Sequence, residues 1–173
     1  MATVMKSNTD PSFVGIEKLK QTHSKQITEF EQWALHDDWE RFHHSHYDWW
    51  VFPVNRRSSY GMMWVVYESE IAQLKGDVSF LEKYCKGVEL VSASWGWDVV
   101  NKTAILHPKL GQSWHQWPVR LYKAASSAKL FGYEKLFDSL KLYAQNLIHQ
   151  GEPMSFAGKD LSWLFTTGID PYR

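Results

Sequence analysis

The sequence predicts an all-α fold: a single helical-bundle-like domain of about six or seven helices, with one irregular or short extended segment near residues 53–68. Three observations predict it. Apolar residues recur at three- and four-residue spacing along much of the chain, as at Leu136, Phe137, Leu140, Tyr143 and Leu147. Glycines suited to ending helices stand just past such runs, at Gly76 and Gly151. The 173 residues, 44% of them hydrophobic, are enough for one sizeable core, and no repeat, low-complexity tract or linker divides them.

Residues 1–8 carry no pattern and are expected to be a disordered N-terminus, leaving 9–173 as the helical domain. A first short helix is expected from Asp10-Pro11 through Phe13, Ile16 and Leu19, with proline at its first position. A second, capped by Ser24, carries Ile27, Phe30 and Trp33. The most informative stretch follows, running from His36 to Pro53. It reads as one amphipathic helix over 37–52 with Asp37 as N-cap and Pro53 as the stop. At about 100° per residue, Trp39, His43, His46 and Trp50 share an arc of roughly 60°, with Tyr47 on its flank. His44, Arg41 and Asp48 take the opposite side. Two histidines thus face an aromatic stripe and one faces water.

Residues 54–61 are polar and turn-rich, and Met62–Tyr67 is a short apolar run readable as a strand or an extended segment. A short helix is expected from Ser69 to Gly76, and the next is capped by Asp77 and carries Val78, Leu81, Tyr84, Cys85 and Val88. Val99–Gln112 lacks periodicity and is the longest irregular connection. A helix beginning near Ser113, with Pro118 in its first turns, continues to Gly132. Another spans Tyr133–Gln150, and a last short one lies around Asp160–Phe165.

Composition narrows the function. Nineteen basic and nineteen acidic residues cancel, so no general field steers the chain toward nucleic acid. The single cysteine, Cys85, excludes an intramolecular disulfide, and no apolar run reaches the ~18 residues of a membrane span. A cytoplasmic protein is expected. Ten tryptophans and 16% aromatics call for a core or groove built from large flat side chains.

The stretch Tyr47-Asp48-Trp49-Trp50-Val51-Phe52-Pro53 resembles the Y-x-x-W-L-F-P core of the N-terminal conserved region of the opioid growth factor receptor family. Ser69-Glu70-Ile71 with Leu74 and Asp77 is similar to that family's acidic helix start. The helix through Phe80 and Tyr84 to Gly87-Val88-Glu89-Leu90 looks like its long-helix segment. Arg120-Leu121 followed by Leu130-Phe131-Gly132-Tyr133-Glu134 resembles its R-I … L-G-F-E signature. The likeness covers about residues 35–150 and implies a small standalone all-helical member. In the larger eukaryotic members the module belongs to a peptide-binding, nuclear-envelope-associated receptor for a short opioid peptide. Ser45 stands where the family usually has histidine, so a role tied to that histidine passes to His44 or His46, or is absent.

The leading functional expectation is a non-enzymatic binding module whose groove accepts a peptide or protein segment. Its expected lining is Trp39, His43, His46, Tyr47, Trp50, Trp114 and Trp117, with Arg120 fixing orientation. Arg120 sits in an otherwise apolar helix and needs a carboxylate, which Asp48 or Glu134 can supply. Arg56-Arg57 beside Ser58-Ser59 reads either as a solvated turn or as a holder of phosphate or carboxylate. The competing expectation is a metal- or haem-binding protein using His43 and His46, with His36 or His115; otherwise no cofactor is expected. No H-E-x-x-H, C-x-x-C, catalytic triad or phosphate-binding glycine loop is present to mark an enzyme.

Overall fold

A computed structural model describes residues 4–168. It is mostly helical, as expected, with eight helices among the described residues and two short antiparallel hairpins. No described helix is long and apolar enough to cross a membrane.

The two helices expected before residue 35 are one. Helix α1 runs Ile16–Leu35, and Ser24 lies inside it, its hydroxyl accepting from Lys83 Nζ at 2.9 Å. The stripe that unites it is Leu19, His23, Gln26, Ile27 and Phe30, in which a histidine and a glutamine occupy buried positions. Asp10-Pro11 starts no helix. The Asp10 carboxylate instead accepts from the Ser12 backbone N–H and hydroxyl, closing a turn, and Gly15, at φ 88°, turns the chain into α1.

Of the N-terminal residues 1–8, the first three lie outside the described residues, and the last is held in place. Asn8 is buried, and its amide nitrogen donates to the carbonyls of Met62 and Val65 at 2.9 and 2.8 Å. Residues 62–67, read as a strand or an extended segment, form turns over 62–64 followed by chain that pairs in no strand. Asn8→Ala is expected to cost about 1–3 kcal/mol, because the Val65 carbonyl loses its side-chain donor and the Met62 carbonyl keeps only the Val65 N–H. Urea unfolding followed by tryptophan fluorescence measures it.

The expected helix 37–52 is broken. Helix α2 covers Glu40–His44 and α3 covers Asp48–Val51, and between them Ser45 is extended. Asp37 is not the N-cap; it sits at φ 52° and accepts from Trp39 Nε1 at 3.2 Å. The break frees backbone carbonyls that a helix would have used, and Arg120 takes them, as described below.

Helix α4 spans Glu68–Lys75, and Gly76 closes it in a right-handed conformation at φ −78°. Helix α5 spans Val78–Ser94, capped as expected by the Asp77 carboxylate, which accepts from Phe80 N–H at 3.1 Å. The connection after it holds a hairpin, β1 (Trp97–Asp98) with β2 (Thr103–Ala104), and then irregular chain as far as Trp117. Helix α6 begins at Pro118 rather than near Ser113 and ends at Leu130. Proline disfavours helical backbone in the residue before it, so Trp117 cannot continue a helix from upstream. Helix α7 covers Glu134–His149, hairpin β3 (Ser155–Phe156) with β4 (Lys159–Asp160) follows, and α8 covers Ser162–Thr167.

Helix α1 packs on α5, α2, α3 and α4, while α6, α7 and α8 form the other side. Tyr84 on α5 joins them, stacking near Phe131 and donating its hydroxyl to Ser127 at 2.8 Å. The small residues Ala124–Ala128 of α6 are all buried, as that close approach needs. His23 is fully buried beside the rings of Phe80 and Tyr84.

Candidate functional site

Arg120 organises the region between α2, α3 and α6. Only 1% exposed, it donates from Nε to Asp48 Oδ1 at 2.6 Å and from its two terminal nitrogens to the carbonyls of Phe42 and Ser45, both at 2.8 Å. Its guanidinium lies between two aromatic faces, 4.2 Å from the Tyr47 ring centroid and 5.0 Å from that of Trp117. The expected carboxylate partner is therefore Asp48. Each of the three guanidinium nitrogens thus has an acceptor within the protein, and Arg120 positions its surroundings.

The expected lining residues divide among four places. Tyr47 is fully buried and donates its hydroxyl to the Phe42 carbonyl, and burial raises its pKa above the ordinary phenolic range. Trp50 faces α1, bonding Gln26 through its indole nitrogen and packing on Trp64. Trp114 joins Trp95 and Tyr143, away from the Arg120 region. Trp39 is buried against Phe42.

The histidines are equally dispersed. His43 is buried, and its Nε2–H donates to the Gly111 carbonyl at 2.7 Å, since a carbonyl can only accept. Its ring stacks face to face with His115 at 3.6 Å between centroids and 8° between planes. Burial holds the His43 pKa below the usual imidazole value, and the positive charges it would meet at His115 and Arg120 push the same way. His115 Nε2 lies 3.6 Å from the Glu40 carboxylate. His36, at the exposed end of α1, donates from Nδ1 to the Gln32 carbonyl. His46 is exposed in the connection between α2 and α3, edge-on to Trp117. Among the described residues no group of three His, Cys, Asp or Glu side chains is placed to hold a metal ion.

What the structure does assemble is a cavity of about 390 Å³ between α3, the 54–59 loop, the first turns of α6 and the β3–β4 hairpin. Of the expected site residues, His46, Trp117 and Arg120 line it. Asp48, Trp49, Val54, Val119, Tyr122, Lys123, Phe156 and Leu161 complete much of the wall, with Arg56, Arg57 and Ser59 on the loop. Arg56 lies over the Tyr122 ring at 4.7 Å. Lys123 points its ammonium at Trp49, 4.9 Å from the ring centroid, and burial lowers its pKa from the ordinary lysine value, opposed by Asp48 and reinforced by Arg120 and Arg56.

Val119 and Tyr122 belong to the helical pattern that the sequence shows, but neither they nor Lys123 are expected at the site, although their i, i+3, i+4 spacing puts them on one helical face. The signal was present, but nothing upstream marked that face as the one turned to the loop. Phe156 belongs to a hairpin that carries no turn motif beyond Gly158, and Leu161, expected in the last helix, caps α8 just after it.

No protein-family model matches the chain, no curated protein matches it, and no solved structure matches it.

Proposed function

We propose that the chain is a non-enzymatic binding module that receives a peptide or protein segment in the cavity between α3, α6 and the β3–β4 hairpin. The single observation that carries this reading is the make-up of that cavity. Apolar and aromatic surface from Trp49, Trp117, Val119 and Phe156 meets cationic groups at its mouth, an arrangement that anchors a side chain and orients a polar backbone. Phe156 is half exposed on the hairpin, a cost in water that a bound segment would remove. The resemblance of residues 35–150 to the opioid growth factor receptor conserved region belongs to the same proposal, as kinship with a peptide-binding module.

An array of degenerate synthetic peptides, each made in phosphorylated and unphosphorylated form, tests it. Peptides binding with a Kd on the order of micromolar are expected, and binding should weaken at least tenfold in His46→Ala and Phe156→Ala, two exposed positions. Absence of any bound peptide, or binding unaffected by both variants, would overturn the module.

A further inference from the structure

We propose that the group anchored in this cavity is a phosphate monoester carried on the bound segment, seated at Lys123 and reached by Arg57 and Ser59. The proposal rests on the peptide-groove reading and adds the charge that the groove selects.

Five cationic side chains line the cavity, namely Arg56, Arg57, Arg120, Lys123 and Lys159, against a single carboxylate, Asp48. That carboxylate is already joined to Arg120. Lys123 stands apart from the other cations. Its ammonium rests on the face of Trp49, and among the described residues no acceptor hydrogen-bonds it. The carboxylate that acts on this partly buried ammonium, Asp48, is already bonded to Arg120, and a ring quadrupole offsets only part of the desolvation cost. Arg57 is exposed at the mouth, with no carboxylate in ion-pair range among the described residues. An anion entering here therefore meets one desolvated cation and one solvated cation together.

The number and kind of donors favour phosphate over carboxylate. A carboxylate brings one charge and two oxygens, which Lys123 alone would neutralise. A phosphate monoester brings about −1.5 to −2 charges at neutral pH and three strong acceptor oxygens. Its oxygens offer acceptors to the ammonium, the Arg57 fork and the Ser59 hydroxyl, which line the same cavity, and the two charges match the two cations. The aromatic walls leave room for the side chain that carries it.

Titration of N-acetyl phosphotyrosine amide and N-acetyl phosphoserine amide, followed by indole and backbone NMR shifts, tests this. The controls are the unphosphorylated parents and inorganic phosphate. Saturable binding of at least one phosphorylated probe is expected, with shifts at Trp49 and Lys123, and at least tenfold weakening in Lys123→Met and in Arg57→Gln. The Arg57 variant alters only an exposed side chain, so a folding defect in Lys123→Met would not leave the question open. Parents that bind as tightly as the phosphorylated probes would overturn the phosphate assignment while the peptide groove stands. Inorganic phosphate binding as tightly would overturn the assignment to a segment. No saturable binding by either phosphorylated probe would overturn the proposal, and the peptide array then decides whether the module falls with it.

Discussion

Arg120→Met is expected to destabilise the protein by about 3–5 kcal/mol, enough to unfold many domains of this size at 37 °C. Methionine fills much of the same volume between Tyr47 and Trp117 but offers no donor. Asp48, 8% exposed at its side chain, would be left without its partner, the Ser45 carbonyl would lose its donor, and the Phe42 carbonyl would keep only the Tyr47 hydroxyl. The cost lies in what is left behind rather than in the strength of the pair. The double variant Arg120→Met/Asp48→Leu should accordingly recover part of the loss, with a coupling energy above 1 kcal/mol in a double-mutant cycle. Urea unfolding of the wild type, both single variants and the double variant measures this. Additive losses would show that Asp48 and Arg120 do not act as a unit.

Acidification is expected to begin destabilising the protein above the carboxylate range, and His23 is the reason. Burial lowers its pKa from 6.5 to about 3, with the positive charge of Lys83 acting the same way and the Val51 backbone opposing. The folded-state value lies below the unfolded one. The neutral ring therefore contributes stability that is complete above pH 6.5 and is lost as the pH falls toward 3, because only the unfolded chain takes up the proton in that window. The slope approaches about 1.4 kcal/mol per pH unit, or about 2 kcal/mol lost by pH 5. His43, also lowered by burial, adds in the same direction. His23→Leu keeps the apolar contacts with Phe80 and Tyr84 and removes the titration. Its urea midpoint should vary far less between pH 7 and pH 5 than that of the wild type. An unchanged pH dependence in the variant would assign the acid lability to other groups.

Fold class was legible in the sequence because periodicity reports burial directly. The stripes of α5 and α7 and the cap at Asp77 appear where their spacing and residue types put them. What was illegible depended on residues far away in the chain. The break between α2 and α3 follows from the demand of Arg120 for carbonyls 75 and 78 residues earlier, and no local pattern encodes it. His23 and Gln26 read as polar interruptions, so the continuous stripe of α1 looked like two. Trp114 and Trp117 are close in sequence yet serve different clusters, because the chain turns at Gln116, at φ 60°, before Pro118 opens α6. Of the site, the Trp117–Arg120 end was legible from residue type. The loop and hairpin walls were not, since only tertiary packing brings them to that helix.

The split between α2 and α3 has a kinetic side. Its geometry is held by a side chain 72–78 residues downstream, so the turn gains its hydrogen bonds only after a long loop has closed. Until α6 arrives, the 37–52 stretch is free to continue as the single amphipathic helix that its own periodicity favours. The corner, and the cavity wall that it forms, thus depend on hydrogen bonds that only the arrival of α6 can supply.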